Sequence, residues 1–406
     1  MAVQRKNARR LVLAGGAGIQ LFSGIPAAWG AFQPGVERDY ALSTDQATWI
    51  FSFVICAFGI GCVLGGALQD TLGARRSCLL GAAGLGGGFF AASFFPAGQP
   101  LWFYLAFSIP VGLGCALLTP SVMSCAQKWW PQKKGFATGV TGCAAGLSGA
   151  VLTLAARWLG GSRGMPVCFR VLGCVMAAVC TLGALTMQPP PAAAEPDGGA
   201  SSFAKDGTAG RCSKRENGTQ HPLQALRTAD YWLLVCAVAA AAPTVLLFSP
   251  VILPLAQQRG LDENAASLAI ITGSLMSAGG RLLMPWLSDR IGRRRTDLLL
   301  FAALTGFSAA FAFAQGWWVV AVYACLTFCY SGQAALLPAF ATDRFGQRRA
   351  GLNYGLLTLG MSAGSLIFPP LARMLQGENA PHWIAASAAA AGFVLMLFYG
   401  RKQAAK

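Results

Sequence analysis

The sequence predicts an all-α integral membrane protein of twelve transmembrane helices arranged as two six-helix bundles. Three observations carry that expectation. Of 406 residues, 55% are hydrophobic and only 11% charged, too few charges to cover a soluble globule of this size. Uncharged apolar runs of roughly the length needed to cross a hydrocarbon core of about 30 Å recur along the whole chain. A charged, Pro/Gly/Ser-rich stretch divides these runs into two sets, and the two sets repeat one another.

The apolar runs fall near 11–33, 46–68, 78–96, 100–123, 135–157, 167–187, 230–256, 264–287, 297–315, 317–340, 350–373 and 381–399. The first follows "RKNARR" and imitates a signal peptide, but its apolar part is too long and continues without a convincing cleavage site, so it is read as a retained helix. Residues 1–187 form the N-terminal bundle. Residues 188–227, "QPPPAAAEPDGG…" onward, hold too little apolar surface to fold alone and form a linker, and 228–406 form the C-terminal bundle. With both termini and the linker on one side, most of the 31 Lys and Arg residues collect there, against Arg38, Arg157, Arg163, Arg170, Arg259 and Arg373 on the other. Excess Lys and Arg mark the cytoplasmic side, which predicts a multi-pass plasma (inner) membrane protein with cytoplasmic termini.

The net charge of +16 lies between apolar runs and not in one patch, so nucleic acid is not expected as a partner. The 13 cysteines, mostly inside apolar runs, lack the spacing of a metal knuckle or a disulfide framework and read as small packing residues. The chain is expected to be a monomer without a cofactor.

The halves echo one another in detail. "GALQDTLGARR" after the second helix and "PWLSDRIGRRR" after the eighth place Asp70 and Asp289 219 residues apart, and "PQKKGFATG" and "GQRRAGLNYG" precede the fifth and eleventh helices. A duplicated six-helix unit makes two bundles able to rock about a central site, which points to transport. An enzyme would need a base, a nucleophile or metal ligands at one depth. The spans offer no Asp, Glu or His for that purpose, with His221 and His382 both placed outside them.

At these residues the chain resembles the major facilitator superfamily, whose hallmark loop reads roughly G-x-L-x-D-R-x-G-R-R. Gly66, Leu68, Asp70, Gly73, Arg75 and Arg76 match it, while Thr71 and Ala74 depart; Leu287, Asp289, Arg290, Gly292, Arg293 and Arg294 form the better second copy. Such a loop can act as a charge clamp that closes one face and releases on rocking, or as a plain topology signal, and both can hold. "GIPAAWGAFQPGV", "KWWPQKKGFATGVTGCAAGLSG", "LLPAFATDRFG" and "GLNYGLLTLG" look like the oxalate/formate antiporter family and, more distantly, the monocarboxylate transporters. Ala27 departs from the tyrosine that this resemblance implies in the first helix.

Arg281 is the one formal charge placed deep in a span. Eight residues before Asp289, it lies about 12 Å inside the helix end at 1.5 Å per residue. Against lipid it would cost a few kcal/mol or more, so it should face the bundle interior or a water-filled cavity. With no carboxylate expected inside the membrane, and with a guanidinium that cannot deprotonate, its counter-charge is expected to be a carboxylate arriving from outside. The alternative is snorkelling to the headgroups or binding the carbonyls of a broken helix. The resemblance supports the first reading, since the eighth-helix arginine of this pattern contacts the substrate carboxylate. It also implies a lysine in the eleventh helix of the oxalate carrier, where this chain has Met361 after a matching Asn353, Tyr354, Gly355 and Leu357. One cation in place of two suits a small monocarboxylate such as lactate, pyruvate or formate. The acidic residue that the animal carriers place one turn before the arginine is Ser277 here, so their proton chemistry does not carry over.

Further pocket candidates are Trp29, Ser121, Tyr330, Gln333 and Asn353, while glycine ridges at 135, 139, 142, 146 and 149 and at 351, 355, 360 and 364 are expected to serve close helix packing. The function expected is alternating-access transport of a small organic anion, with a co-transported proton or an exchanged anion both left open. An oxalate/formate-type exchanger and a proton-driven drug exporter are the alternatives. The exporter is disfavoured by the missing cavity carboxylates and by a fifth helix with glycines but no proline.

Overall fold

The computed structural model describes residues 2–130, 134–190, 226–345, 350–375, 377 and 379–399. All regular structure among them is helical. Ten helices are long and apolar enough to cross a membrane: Asn7–Asp39, Thr44–Gln69, Pro100–Trp129, Phe136–Arg163, Met165–Thr186, Ala229–Leu246, Glu263–Ile291, Trp317–Phe345, Gly351–Met374 and Ala380–Phe398. Two more, 74–92 and Arg293–Phe311, stand in the third and ninth places and open on arginines, which leaves each a shorter uncharged stretch. These are the twelve spans, numbered in chain order below. The linker expected at 188–227 lies mostly outside the described residues.

The repeat is visible in the backbone. Gly73 (φ 80°, ψ 161°) and Gly292 (φ 92°, ψ 139°) occupy the same place in the two hallmark loops, each reversing the chain between two helices. Side-chain-bearing residues are strained at such angles, which is why both copies keep glycine there. The second span starts on a capping box, Ser43 accepting from the Gln46 amide and the Gln46 side chain accepting from the Ser43 amide. The spans that the sequence draws as single rods in the first and seventh places are broken. The first is Ala2–Ser23 and Ile25–Asp39, hinged at Gly24; the seventh is Ala229–Ala241, Pro243–Leu246 and Ile252–Gln258.

Two apolar cores form, one built almost wholly from residues 12–187 and the other from 231–396. The first centres on clustered aromatics, with Phe169 in tilted or edge-on ring contact with Phe32, Phe89, Phe103 and Phe107. Between the cores the main contacts are the second span with the eleventh and the fifth with the eighth. Both are close backbone approaches: a methyl added at Gly66 would sit 2.6 Å from the Gly351 carbonyl carbon, and one at Gly146 would sit 2.5 Å from the Ala278 Cα. The eleventh-span ridge divides its work, with Gly351 and Gly355 against the second span and Gly360 and Gly364 against the seventh. On the face opposite the hallmark loops, Arg373 pairs with Asp45 at 3.2 Å and Arg157 donates to Asn264 at 2.5 Å, each crossing between bundles.

One sequence expectation needs correction. His382 is inside the twelfth span, 2% exposed and 3.1 Å from the Arg259 guanidinium. Asp297 is near its helix start as expected, yet it is buried, and its Oδ1 has no hydrogen-bond partner.

Candidate functional site

The breaks in the first and seventh spans open onto a cavity of about 150 Å³ between the bundles. Its N-terminal wall is mostly small or apolar, with Pro26, Ala27, Ile55, Phe58 and Ala145, and carries two hydroxyls, Ser23 and Thr119. The C-terminal wall holds Arg281, the phenols Tyr323, Tyr330 and Tyr354, and hydroxyls from the seventh, eighth and tenth spans. The cavity is therefore polarised, with its charge on one side.

Helical periodicity sets which side chains arrive there. The eighth span presents Ile270, Gly273, Ser274, Ser277 and Arg281, spaced by three or four residues along one face. The tenth presents Tyr323, Thr327, Tyr330, Ser331 and Ala334 on the same rule. Ser277 and Ser331 share a 2.6 Å hydrogen bond one turn from Arg281, tying the two helices at the depth of the charge. The Arg281 stem runs beside the fifth span, its Cβ 3.7 Å from where a methyl on Gly142 would stand, an ordinary van der Waals separation.

Two donors in this wall have no partner: Arg281 Nε and the Tyr330 hydroxyl, both buried. Tyr354 lines the same wall. An unmatched buried donor costs about 1–3 kcal/mol, more when charged, and here two belong to residues that line one cavity. Among the described residues the cavity lining contains no Asp, Glu or His. Nor do the described residues bring three His, Cys, Asp or Glu side chains together as a metal site. The lining thus combines a fixed positive charge with hydroxyl groups, and among the described residues it holds no carboxylate or imidazole to act as a general base.

Of the residues singled out from sequence, Arg281, Tyr330 and Met361 line this cavity, and four do not. Trp29 is 1% exposed in the N-terminal core, its Nε1 donating to Gln33 at 3.1 Å. It stands two residues from the cavity-lining Ala27, a turn of about 200° that points it away. Ser121 stands likewise two residues past the lining Thr119, and donates to Ser77 Oγ at 3.0 Å. Asn353, one position before the lining Tyr354, turns to the Phe345 carbonyl at 3.4 Å. Gln333 is buried off the tenth-span cavity face. The residues that sequence reasoning passed over, Tyr323, Tyr354, Ser23, Thr119 and Ser249, share no motif. The phase of each helix relative to a known cavity residue is the signal that finds them.

The second hallmark loop works within its own bundle. Asp289, 70% exposed, is 3.8 Å from Arg293 of the ninth span, and Arg293 also pairs with Asp343 of the tenth. Arg294 donates to the Met396 and Leu397 carbonyls of the twelfth at 3.0 and 2.5 Å. Arg290 lies over the Trp286 ring, 4.0 Å from its centroid. In the first copy Arg75 and Arg76 are exposed, and the Asp70 side chain lies outside what the structure describes.

A membrane-embedded pair of homologous bundles around a polar central cavity defines a carrier. The chain belongs to the Major Facilitator Superfamily, whose family model matches residues 13–252 and 233–406. It is a secondary transporter and not an enzyme. It is 24% identical over 352 residues to the oxalate:formate antiporter of Oxalobacter formigenes, covering 85% of this chain and 79% of that one. It is 24% identical over 367 residues to monocarboxylate transporter 12 of Rattus norvegicus, covering 85% and 74%. The crystal structure of a D-xylose-proton symporter superposes with a TM-score of 0.69 at 13% identity, over 97% of this chain and 98% of that one, a likeness of fold alone.

Proposed function

We propose that the protein carries a short monocarboxylate across the membrane by alternating access, with Arg281 as the group that binds the carboxylate. The observation that supports this best is that two unpartnered donors, Arg281 Nε and the Tyr330 hydroxyl, belong to residues of a cavity wall that holds no acidic side chain among the described residues. A guanidinium stays charged, so a ligand carboxylate is the natural neutralising partner. Met361 lines the same cavity, and this is the position at which the oxalate carrier's pattern has a lysine. A second carboxylate on the ligand would thus be buried without a counter-charge. The printed names of the two relatives, an oxalate:formate antiporter and a monocarboxylate transporter, agree with an anion of this class. A cavity of about 150 Å³ suits a ligand of a few heavy atoms and lies below the several hundred Å³ typical of drug-sized sites.

The rest of the reading follows from that site. Rocking would turn on the second–eleventh and fifth–eighth contacts, with the hallmark residues Asp70, Arg75, Arg76, Asp289, Arg290, Arg293 and Arg294 steadying the helix ends as the face opens and closes. The distribution of basic residues supports a plasma (inner) membrane location with both termini and the linker cytoplasmic.

The test is ligand binding by the purified protein. Arg281→Ala is expected to abolish specific carboxylate binding. Arg281→Lys is expected to keep the charge and lose most transport, because an ammonium cannot offer two parallel donors. Unchanged affinity for short monocarboxylates in the alanine variant would make Arg281 structural, and the substrate class would fall with it.

A further inference from the structure

The wall facing Arg281 has a hydrogen-bonding polarity of its own. Gln20 of the first span is buried, and its Oε1 accepts from Ser23 Oγ at 2.7 Å and from Thr119 Oγ1 at 3.4 Å. Each hydroxyl also has a backbone acceptor within reach, the Gln20 carbonyl at 3.2 Å for Ser23 and the Cys115 carbonyl at 3.0 Å for Thr119. A hydroxyl carries one proton and two acceptor lone pairs. With both protons directed at protein oxygens, Ser23 and Thr119 offer the cavity they line only lone pairs. On the other wall, Ser274 and Thr327 donate likewise to backbone carbonyls, at 2.7 and 2.8 Å. Arg281 Nε and the Tyr330 hydroxyl, both on that wall, have no protein acceptor.

We infer that the carried anion is a short 2-hydroxy acid, taken in preference to a 2-oxo or unsubstituted acid, and that Ser23 and Thr119 make the distinction. This rests on the carboxylate reading of Arg281 given above. The ligand carboxylate, which only accepts, meets the donor pole. A 2-hydroxyl has one O–H to give and completes a bond to the acceptor wall. A 2-oxo oxygen in the same place sets acceptor against acceptor, and an unsubstituted acid leaves the wall unpaired. A 2-ammonium group could also donate, but it would add a second buried cation beside Arg281 in a lining without a carboxylate among the described residues, so the 2-amino acid is rejected. Gln20 is a positioning residue: it holds the two hydroxyl protons and has no need to touch the ligand.

The experiment is competition binding to the full chain in proteoliposomes with four three-carbon probes: lactate, pyruvate, propionate and alanine. One net hydrogen bond is worth about 0.5–1.5 kcal/mol, so lactate is expected to bind roughly two- to tenfold more tightly than pyruvate or propionate, and alanine not measurably. Combining Ser23→Ala with Thr119→Val should bring the lactate/pyruvate ratio close to one, whereas Thr119→Ser, which keeps the hydroxyl, should preserve it. If the double variant does not fold, the wild-type ratio and the Thr119→Ser ratio still decide. Pyruvate or propionate binding as tightly as lactate while Arg281→Ala abolishes all of it would overturn this inference and leave the carboxylate reading standing. Retention of the lactate preference by the double variant would overturn the assignment to Ser23 and Thr119. Binding of no probe, or of all of them independently of Arg281, would overturn both readings.

Discussion

Replacing Gly146 with alanine tests whether the fifth and eighth spans must touch for the carrier to cycle. The added methyl would stand 2.5 Å from both Cα and N of Ala278 and 2.9 Å from its Cβ. Carbon atoms rest comfortably about 3.5–4.0 Å apart, so the two helices must separate by about 1 Å. The clash is with backbone, which has no rotamer to escape into. Overpacking of this kind costs about 1–3 kcal/mol. Applied to the conformation in which the spans are in contact, that is roughly a 5- to 150-fold shift in population toward one in which they are apart. Gly142 and Arg281 lie one turn away on the same pair of helices, so the separation also moves the charge relative to the opposite wall.

The assay has two readouts. Counterflow in proteoliposomes reports turnover, and labelling of a cysteine placed at Thr327 on the cavity wall, in a background free of other cysteines, reports how often the cavity opens to each side. The expected result is slow counterflow together with faster labelling from one side, at a thermal stability within a few degrees of the parent. Gly87→Ala is the control, since nothing lies within 4 Å of that position and alanine is the better helix former. Wild-type counterflow and labelling in Gly146→Ala would refute the idea that this contact belongs to the cycle. A matching loss in Gly87→Ala would assign the effect to helix content instead.

Met361→Lys should raise the affinity for oxalate relative to formate by about tenfold or more, because it places a second cation on the wall that carries Arg281; equal ratios in parent and variant would place Met361 outside the substrate's reach. Asp289→Asn should slow counterflow while leaving ligand binding intact and lowering stability by less than about 1 kcal/mol, as its contact with Arg293 is exposed and long at 3.8 Å; a loss confined to affinity would argue against a role in cycling. Arg259→Ala removes the cap on the Phe311 and Ala314 carbonyls and the contact to His382, and should cost about 2–4 kcal/mol of thermal stability with the lactate/pyruvate ratio unchanged; a changed ratio would couple that cluster to the cavity. Cysteines in residues 188–227 should react with an impermeant reagent only after cells are permeabilised, and ready reaction in intact cells would invert the topology.

How far the site could be read from sequence depends on what fixes the rotation of each helix. Spans are legible because hydropathy is summed over about 20 residues and tolerates local error. Rotation rests on single side chains. In the eighth span the cost of leaving a guanidinium in lipid identifies the inward face outright, and the small residues Ser274 and Ser277, on that face by spacing, both line the cavity. In the first, fourth and eleventh spans no charge fixes the face, and polarity alone selected Trp29, Ser121 and Asn353. Each of these finds a hydrogen-bond partner inside its own bundle: Trp29 on Gln33, Ser121 on Ser77, and the Asn353 amide nitrogen on the Phe345 carbonyl, with Asn353 Oδ1 left without one. A neutral polar side chain in a membrane has two ways to be satisfied, a ligand or a neighbouring helix, and the second needs no cavity. An arginine with no acidic partner in the lining has fewer, which is why one residue carried most of the functional information. The breaks in the first and seventh spans were hidden for a related reason: Gly24 and Pro243 interrupt the helices without interrupting the apolar run, so hydropathy passes over the two places where the cavity is made.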